Sequence, residues 1–327
     1  MKMLKKMIFT LTLILFSANA GWADGPMKLD LNAIYGPTSF HTQGAMAFAK
    51  SVEKYSEGSI NITVHPGGSL GFKGPELLKV VKDGQVPMSD ILMGVVAGSS
   101  HVFGISSLPR LVKSYDEARD LYEKAKPHYN KAAKRWNQKM LYAAPWPPSG
   151  LVTKEAVNTV ADIKGIKTRT YDKNGAEFLR DLSAMPVSLP WGEVYASLRT
   201  GMIDSVLTST ESAKNGKFWE VLKNFKTINY AYPLNMVTIN LDYWNALNGK
   251  QQEAMLKAAA EVEKLQWAAS EKRSEEAKKI IQEKGICVTE ESPELGAKLD
   301  AAAMTINRQF LAKSKKGAAK LLGNYIK

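Results

Sequence analysis

Residues 161–221 read ADIKGIKTRTYDKNGAEFLRDLSAMPVSLPWGEVYASLRTGMIDSVLTSTESAKNGKFWEV, and their periodicity decides the fold class. A strand ends near Thr170, and a helix follows around Gly175 to Leu182. A strand at Val187 to Leu189 leads to a helix from Trp191 to Thr200, then a strand at Ser205 to Thr208. Strands alternating with helices at this spacing predict α/β layers built on parallel strands.

The same alternation runs upstream. Leu29 to Tyr35 reads as a strand, and Ala45, Phe48, Ala49, Val52 and Tyr55 repeat at helical spacing before Gly58. Ile60 to His65 is a second strand, and a glycine-rich turn from Gly67 to Gly74 leads to a helix opening with Pro75. After a strand near Asp90 to Met93, Ser114 and Glu117 form a capping box for a helix that Pro127 should interrupt. Pro145-Trp146-Pro147-Pro148-Ser149-Gly150 breaks the periodicity and marks a crossing between domains. From Gly249 to Lys284 the chain is rich in Ala, Glu, Lys and Gln with no internal glycine or proline, so it predicts one helix of ~50 Å. Such a length overruns one domain and implies a strap across both. The expected division is 24–147 plus about 235–270 in the first domain and 148–234 plus about 271–327 in the second.

At the N-terminus, Lys2, Lys5 and Lys6 precede an apolar run from Met7 to Phe16 and the small residues Ala18 and Ala20. This is the pattern of an export signal over residues 1–23, with cleavage after Ala20 or Ala23, and it predicts a periplasmic mature chain not inserted in the membrane. Three of the +12 formal charges belong to that segment. The remaining lysines are spread along the chain without an arginine block or aromatic stripe, so nucleic acid is not expected as a partner. Cys287 is the only cysteine and reads as a packed thiol without a disulfide partner. His41, His65, His101 and His128 lie far apart, and no metal-ligand, nucleophile-elbow, phosphate-loop or dinucleotide spacing occurs. No metal, cofactor or catalysis is therefore expected.

Asp162-Ile163-Lys164-Gly165-Ile166-Lys167-Thr168-Arg169, Pro186, Trp191-Gly192-Glu193-Val194-Tyr195-Ala196-Ser197-Leu198-Arg199-Thr200-Gly201-Met202-Ile203-Asp204 and Phe218-Trp219-Glu220-Val221 resemble the substrate-binding proteins of tripartite ATP-independent periplasmic (TRAP) transporters. Weaker agreement includes Ser56-Glu57-Gly58, Gly67 to Gly71 and Leu108-Pro109. The resemblance implies a two-domain periplasmic solute-binding fold, a small organic acid as ligand, the small and large integral-membrane TRAP subunits as partners, and a monomer. It also implies that Arg169 pairs with the ligand carboxylate, a task suited to a planar guanidinium whose forked donors stay charged when water is excluded. Thr208 stands where several members carry a ligand-contacting asparagine, so Thr208 and Ser209 become candidate hydrogen-bonding groups. The sialic-acid branch has a second arginine near Ser149, which argues against sialic acid here.

Trp146 and Trp191 are candidates to cover an apolar ligand body. Ser39, Phe40, Phe72, Lys73 and Gly94 are candidates to close from the first domain, and Asn235 is one more. An aromatic or 2-oxo monocarboxylate fits this set. A C4-dicarboxylate needs a second cation, for which Lys73 is the source. A receptor that presents its ligand to a sensor kinase would use the same pocket.

Overall fold

The computed structural model describes residues 25–326; the expected export signal and its cleavage sites lie outside them. The strands are β1 (Met27–Ala33), β2 (Ile60–His65), β3 (Met88–Leu92), β4 (Gln138–Pro145), β5 (Ser149–Thr153), β6 (Lys167–Thr170), β7 (Met185–Ser188), β8 (Ser205–Ser209), β9 (Asn224–Thr227), β10 (Leu234–Asn240) and β11 (Cys287–Glu290). The helices are α1 (Phe40–Tyr55), α2 (Leu77–Lys82), α3 (Tyr115–Arg135), α4 (Lys173–Asp181), α5 (Val194–Arg199), α6 (Thr210–Asn215), α7 (Leu241–Ala246), α8 (Gly249–Glu283), α9 (Pro293–Ala312) and α10 (Lys316–Leu322).

Two sheets carry the two domains. The first has the order β2-β1-β3-β10-β4 and the second β11-β9-β5-β8-β6-β7. The βα alternation gives the parallel pairs β1 with β2 and β3, and β6 with β7 and β8. Neither sheet is wholly parallel, however. β10 returns from the second domain and inserts antiparallel between β3 and β4, and β5 runs antiparallel to β8 and β9. A connecting strand that enters from the far domain arrives in the opposite direction, and alternation within one domain does not reveal it.

α8 opens with a capping box in which Asn248 and Gln251 satisfy each other's backbone N–H groups, so its first turn is fixed locally. Met255, Ala258, Ala259 and Val262 bury against the first sheet, and Ile281 packs with Val152, Val206 and Phe225 of the second. The helix thus straps both domains. Near its middle, Arg273 donates to Glu211 of α6 at 3.3 Å and to Gln43 of α1 at 2.5 Å, touching an element from each side.

Four local expectations are corrected. α3 runs through Pro127 without a break. Its stripe of Leu121, Tyr122, Ala125, Tyr129 and Ala132 stays buried across the proline, while Pro127 and Glu123, whose carbonyl loses its partner, face water. The helix expected at Pro75 begins at Leu77. Cys287 is exposed on the edge strand β11 rather than packed. The last helix, α10, expected with the second domain, places Ala318, Leu321 and Leu322 in the cluster that contains Tyr122 and Tyr129 of α3.

Candidate functional site

β6 delivers Arg169 to the end of its strand, hydrogen-bond register setting it beside Val187 of β7 and Val206 of β8. Arg169 is 5% exposed and is the one buried arginine among the described residues. Its Nε and Nη2 both donate to the carbonyl of Leu189, at 3.1 and 3.0 Å, which fixes the plane of the guanidinium and leaves the remaining donors free. No carboxylate pairs with it among the described residues. Burial pulls its pKa down to about 10, with Tyr35, Tyr171 and Asp172 opposing, so the group stays cationic at neutral pH. A buried cation without a counter-ion is costly, and an incoming carboxylate relieves that cost.

Arg169 borders a cavity of about 160 Å³ between the domains. Its second-domain wall holds Tyr171, Leu189, Trp191, Thr208, Ser209 and Ser212. The first domain supplies Ile34, Tyr35, Leu92 and Val95, with Lys73, Gly74 and Pro75 nearby. Trp146 and Ser149 come from the crossing segment. Tyr35 meets Trp146 edge-on with ring centroids 5.0 Å apart and faces Trp191 of the opposite wall at 6.4 Å. Ser149 Oγ and Tyr171 OH lie 3.3 Å apart, adding hydroxyls beside the arginine. Burial raises the Tyr171 and Tyr35 phenols well above their ordinary range, so both stay neutral donors.

The structure brings together Arg169, Thr208, Ser209, Trp191, Trp146 and Lys73 around this cavity. It does not bring Ser39, Phe40, Phe72, Gly94 or Asn235 to its wall. Ser39 precedes α1 as its N-cap, and Phe40 packs against His41 with centroids 4.8 Å apart. Phe72 turns into the core of the first domain. Asn235 lies behind Trp146, accepting from its Nε1 at 2.8 Å. Gly94 faces Asp172, the residue that caps α4 by accepting from Gly175 N at 2.8 Å. A Cβ on Gly94 would overlap both Ser107 Oγ and Asp172 Oδ2, so the glycine lets the domains touch just beyond Arg169. Asn174 adds a contact there, donating to the Gly104 carbonyl at 2.9 Å.

Tyr35, Tyr171, Ser212 and the Leu189 carbonyl were not singled out from the sequence. Tyr35 and Tyr171 follow the ends of β1 and β6, and the carboxyl ends of strands are where α/β sheets bind ligands. That rule was the available signal. Arg110, unassigned from sequence, pairs with Glu291 at 2.9 Å and Asp300 at 2.6 Å and so ties the loop before α3 to α9 and the segment preceding it, away from the cavity. Among the described residues no His, Cys, Asp or Glu group has the arrangement to hold a metal ion, and no helix is long and apolar enough to cross a membrane.

Comparison with known proteins gives a consistent result. A solute-binding protein of Albidiferax ferrireducens is 28% identical over 84% of this chain and 82% of its own length. The C4-dicarboxylate-binding periplasmic protein of Rhodobacter capsulatus is 24% identical over 85% and 83%. Among solved structures, a Bordetella pertussis extracytoplasmic solute receptor binding pyroglutamic acid superposes with a TM-score of 0.89 at 26% identity, covering 92% of this chain and 100% of that one. A marine metagenome TRAP solute-binding protein specific for pyroglutamate gives 0.89 at 30% identity, covering 92% and 99%. The model of bacterial extracellular solute-binding protein family 7 matches residues 31–314. With that match over residues 31–314, and a two-domain cleft built around one buried arginine, the protein belongs to bacterial extracellular solute-binding protein family 7, whose structural relatives here are TRAP solute receptors.

Proposed function

We propose that this chain captures a small monocarboxylate carrying one compact ring or a planar 2-oxo body, with Arg169 holding the carboxylate. The carrying observation is a buried guanidinium without an acidic partner, facing a cavity of about 160 Å³. That volume is close to the ~150 Å³ apolar cavity that accepts a benzene ring, so the cavity suits one small ring and not a nine-carbon sugar acid. The rest of the wall sorts the ligand by polarity. Trp146, Trp191 and Tyr35 offer apolar faces, and Thr208, Ser209, Ser149 and Tyr171 offer neutral hydroxyls. A cyclic amide such as pyroglutamate has the matching parts: one carboxylate, a small aliphatic ring, and a neutral donor and acceptor. Two structural relatives bind that acid, which supports it as the first ligand to test.

Lys73 at the cavity favours a second reading, a C4-dicarboxylate. Its side chain is exposed, so it would hold a second carboxylate in water-rich surroundings, where an ion pair contributes about 0–1 kcal/mol. The monocarboxylate reading is therefore preferred. The same proposal places the protein in the periplasm, delivering its acid to integral-membrane TRAP subunits. It divides the chain where β4 leads to β5 and β9 to β10, and again within α8, because these segments pass from one sheet to the other.

Isothermal titration of pyroglutamate, benzoate, pyruvate, 2-oxobutyrate and succinate tests the reading. A ring or 2-oxo monoacid should bind more tightly than succinate. Tighter binding of succinate, or no binding of any monoacid, would overturn it.

A further inference from the structure

Behind the aromatic wall lies a buried polar chain that nothing in ligand contact requires. Trp146 Nε1 donates to Asn235 Oδ1 at 2.8 Å, and Asn235 Nδ2 donates to Asp90 Oδ1 at 2.8 Å. The amide orientation is settled by chemistry at both ends. An indole can only donate, so Asn235 must present its oxygen to Trp146 and its nitrogen to an acceptor. Asp90 supplies that acceptor from the middle of β3, where β10 is the hydrogen-bonded neighbour.

Asp90 is a poor residue for stability at this position. It is 1% exposed, every residue of β3 is buried, and its Oδ2 has no hydrogen-bond partner. No cation pairs with it among the described residues. Burial pushes its carboxyl up to about 7, which reflects the cost of keeping it there. An apolar side chain would avoid that cost, so the carboxyl calls for a role outside the core.

We propose that Asp90 is a positioning residue for ligand capture: through Asn235 it fixes the Trp146 indole, and with it the aromatic wall of the cleft. Trp146 borders the cavity and Asn235 does not. The hydrogen bond therefore draws the polar edge of the indole toward the sheet and leaves carbon surface for the ligand. Tyr35, edge-on to Trp146, and His41, with its ring centroid 4.3 Å from the indole, hold the ring from other sides without a hydrogen bond to it. Neither would stop a flip about the outer side-chain torsion, which is broad for tryptophan. Without Asn235 and Asp90 the indole N–H would seek a partner in the cavity.

The inference on affinity rests on the ligand reading above, whereas the inference on the indole does not, and two measurements separate them. In the full chain labelled with nitrogen-15, Trp146→Phe identifies the Trp146 indole resonance. Asp90→Leu and Asn235→Leu should both displace it, and Asp90→Asn, which keeps the acceptor, should hold it near its wild-type position. For the acid that the wild type binds, Asn235→Leu should weaken affinity by about tenfold, the loss expected for one such hydrogen bond. In a Trp146→Phe background the same change should cost less than twofold, even if thermal stability falls in both. An indole resonance unmoved by Asp90→Leu, or equal affinity losses in both backgrounds, would overturn the proposal. If Asp90→Leu does not fold, the Asn235→Leu resonance and the affinity cycle decide. If the wild type binds none of the acids, the ligand reading fails while the indole resonance still reports on Asp90.

Discussion

The wall contributed by the first domain is aromatic and aliphatic, built from Ile34, Tyr35, Leu92 and Val95, whereas the second domain's wall carries Arg169, Tyr171, Thr208, Ser209 and Ser212. The buried charge and most of the hydroxyls thus reside on the second domain, which adds Leu189 and Trp191 as apolar surface, whereas the first domain offers mainly non-directional area with the exposed Lys73 beside it. A ligand held by the second domain alone would keep its ion pair but leave its body in water. Contact with the first domain then adds about 25 cal/mol for each Å² of apolar surface covered. The difference also shows in what lies behind each wall. Arg169 is held by a backbone carbonyl of its own domain, Leu189, while Trp146 is held by Asn235 from the returning strand β10. The charged wall is built from consecutive elements of the chain, and the aromatic wall from segments distant in sequence.

Breaking the charged wall should have the largest effect. Arg169→Ala is expected to lower affinity for the acid on the order of 100-fold or more, since it strips one partner from a buried charge pair. Calorimetric titration checks this, and an unchanged affinity would remove Arg169 from the site. Gly94→Ala attacks the meeting of the two domains instead. Its new methyl overlaps Asp172 Oδ2 across the interface and Ser107 Oγ within the first domain, so the change is made in a Ser107→Ala background and compared with Ser107→Ala alone: closure should be impeded and affinity fall by about tenfold, on the order of 1.4 kcal/mol. The apo thermal midpoint should change little, and a large drop there would show that the glycine serves folding rather than closure.

A pH series separates the supports of the two walls. Burial raises Asp90 to about 7 and Asp172 to about 6. Each therefore binds a proton in the native state at pH values where the unfolded chain has lost it. Their stability contribution is present below pH ~4 and declines as pH rises through those values. His41, lowered to about 3 by burial, works the other way, adding stability as pH rises toward the ordinary histidine range. Asp90→Asn isolates one contribution. From pH 4 to 7 the wild type should lose stability relative to the variant, by up to about 1.4 kcal/mol per pH unit. Tyr35 and Tyr142, the titratable groups acting on Asp90, stay neutral throughout that window. Parallel denaturation curves for the two proteins at every pH would show that Asp90 is not so perturbed. Smallest of all should be Lys73→Ala, changing monocarboxylate affinity by less than about twofold because the side chain is exposed. A selective loss of succinate binding in that variant would favour the dicarboxylate reading.

Much of the fold was legible because its signals are local. The period of apolar residues marks β2 and α1, Ser114 accepts from Glu117 N at 3.2 Å where the cap was expected, and α8 ends one residue before the predicted boundary. Pro127 does not end α3, because its local effect is set against the packing of the whole helix. The buried stripe on either side of it outweighs one hydrogen bond lost to water. Arg169 was legible through its motif, and so were the two tryptophans, as large planar groups near breaks in the pattern.

The sequence by itself determined an α/β chain with a strap helix, since helical period and capping act within a few residues, and singled out Arg169 only through the resemblance of its motif to a known family. Tertiary structure alone decided that β10 lies between β3 and β4, that Tyr35 faces Trp191, and that Asn235 stands behind Trp146 rather than in the cleft. Asp90 and Asn235 are 145 residues apart. Their hydrogen bond exists because packing of the first sheet removes both from water, and no pattern within either strand carries that information.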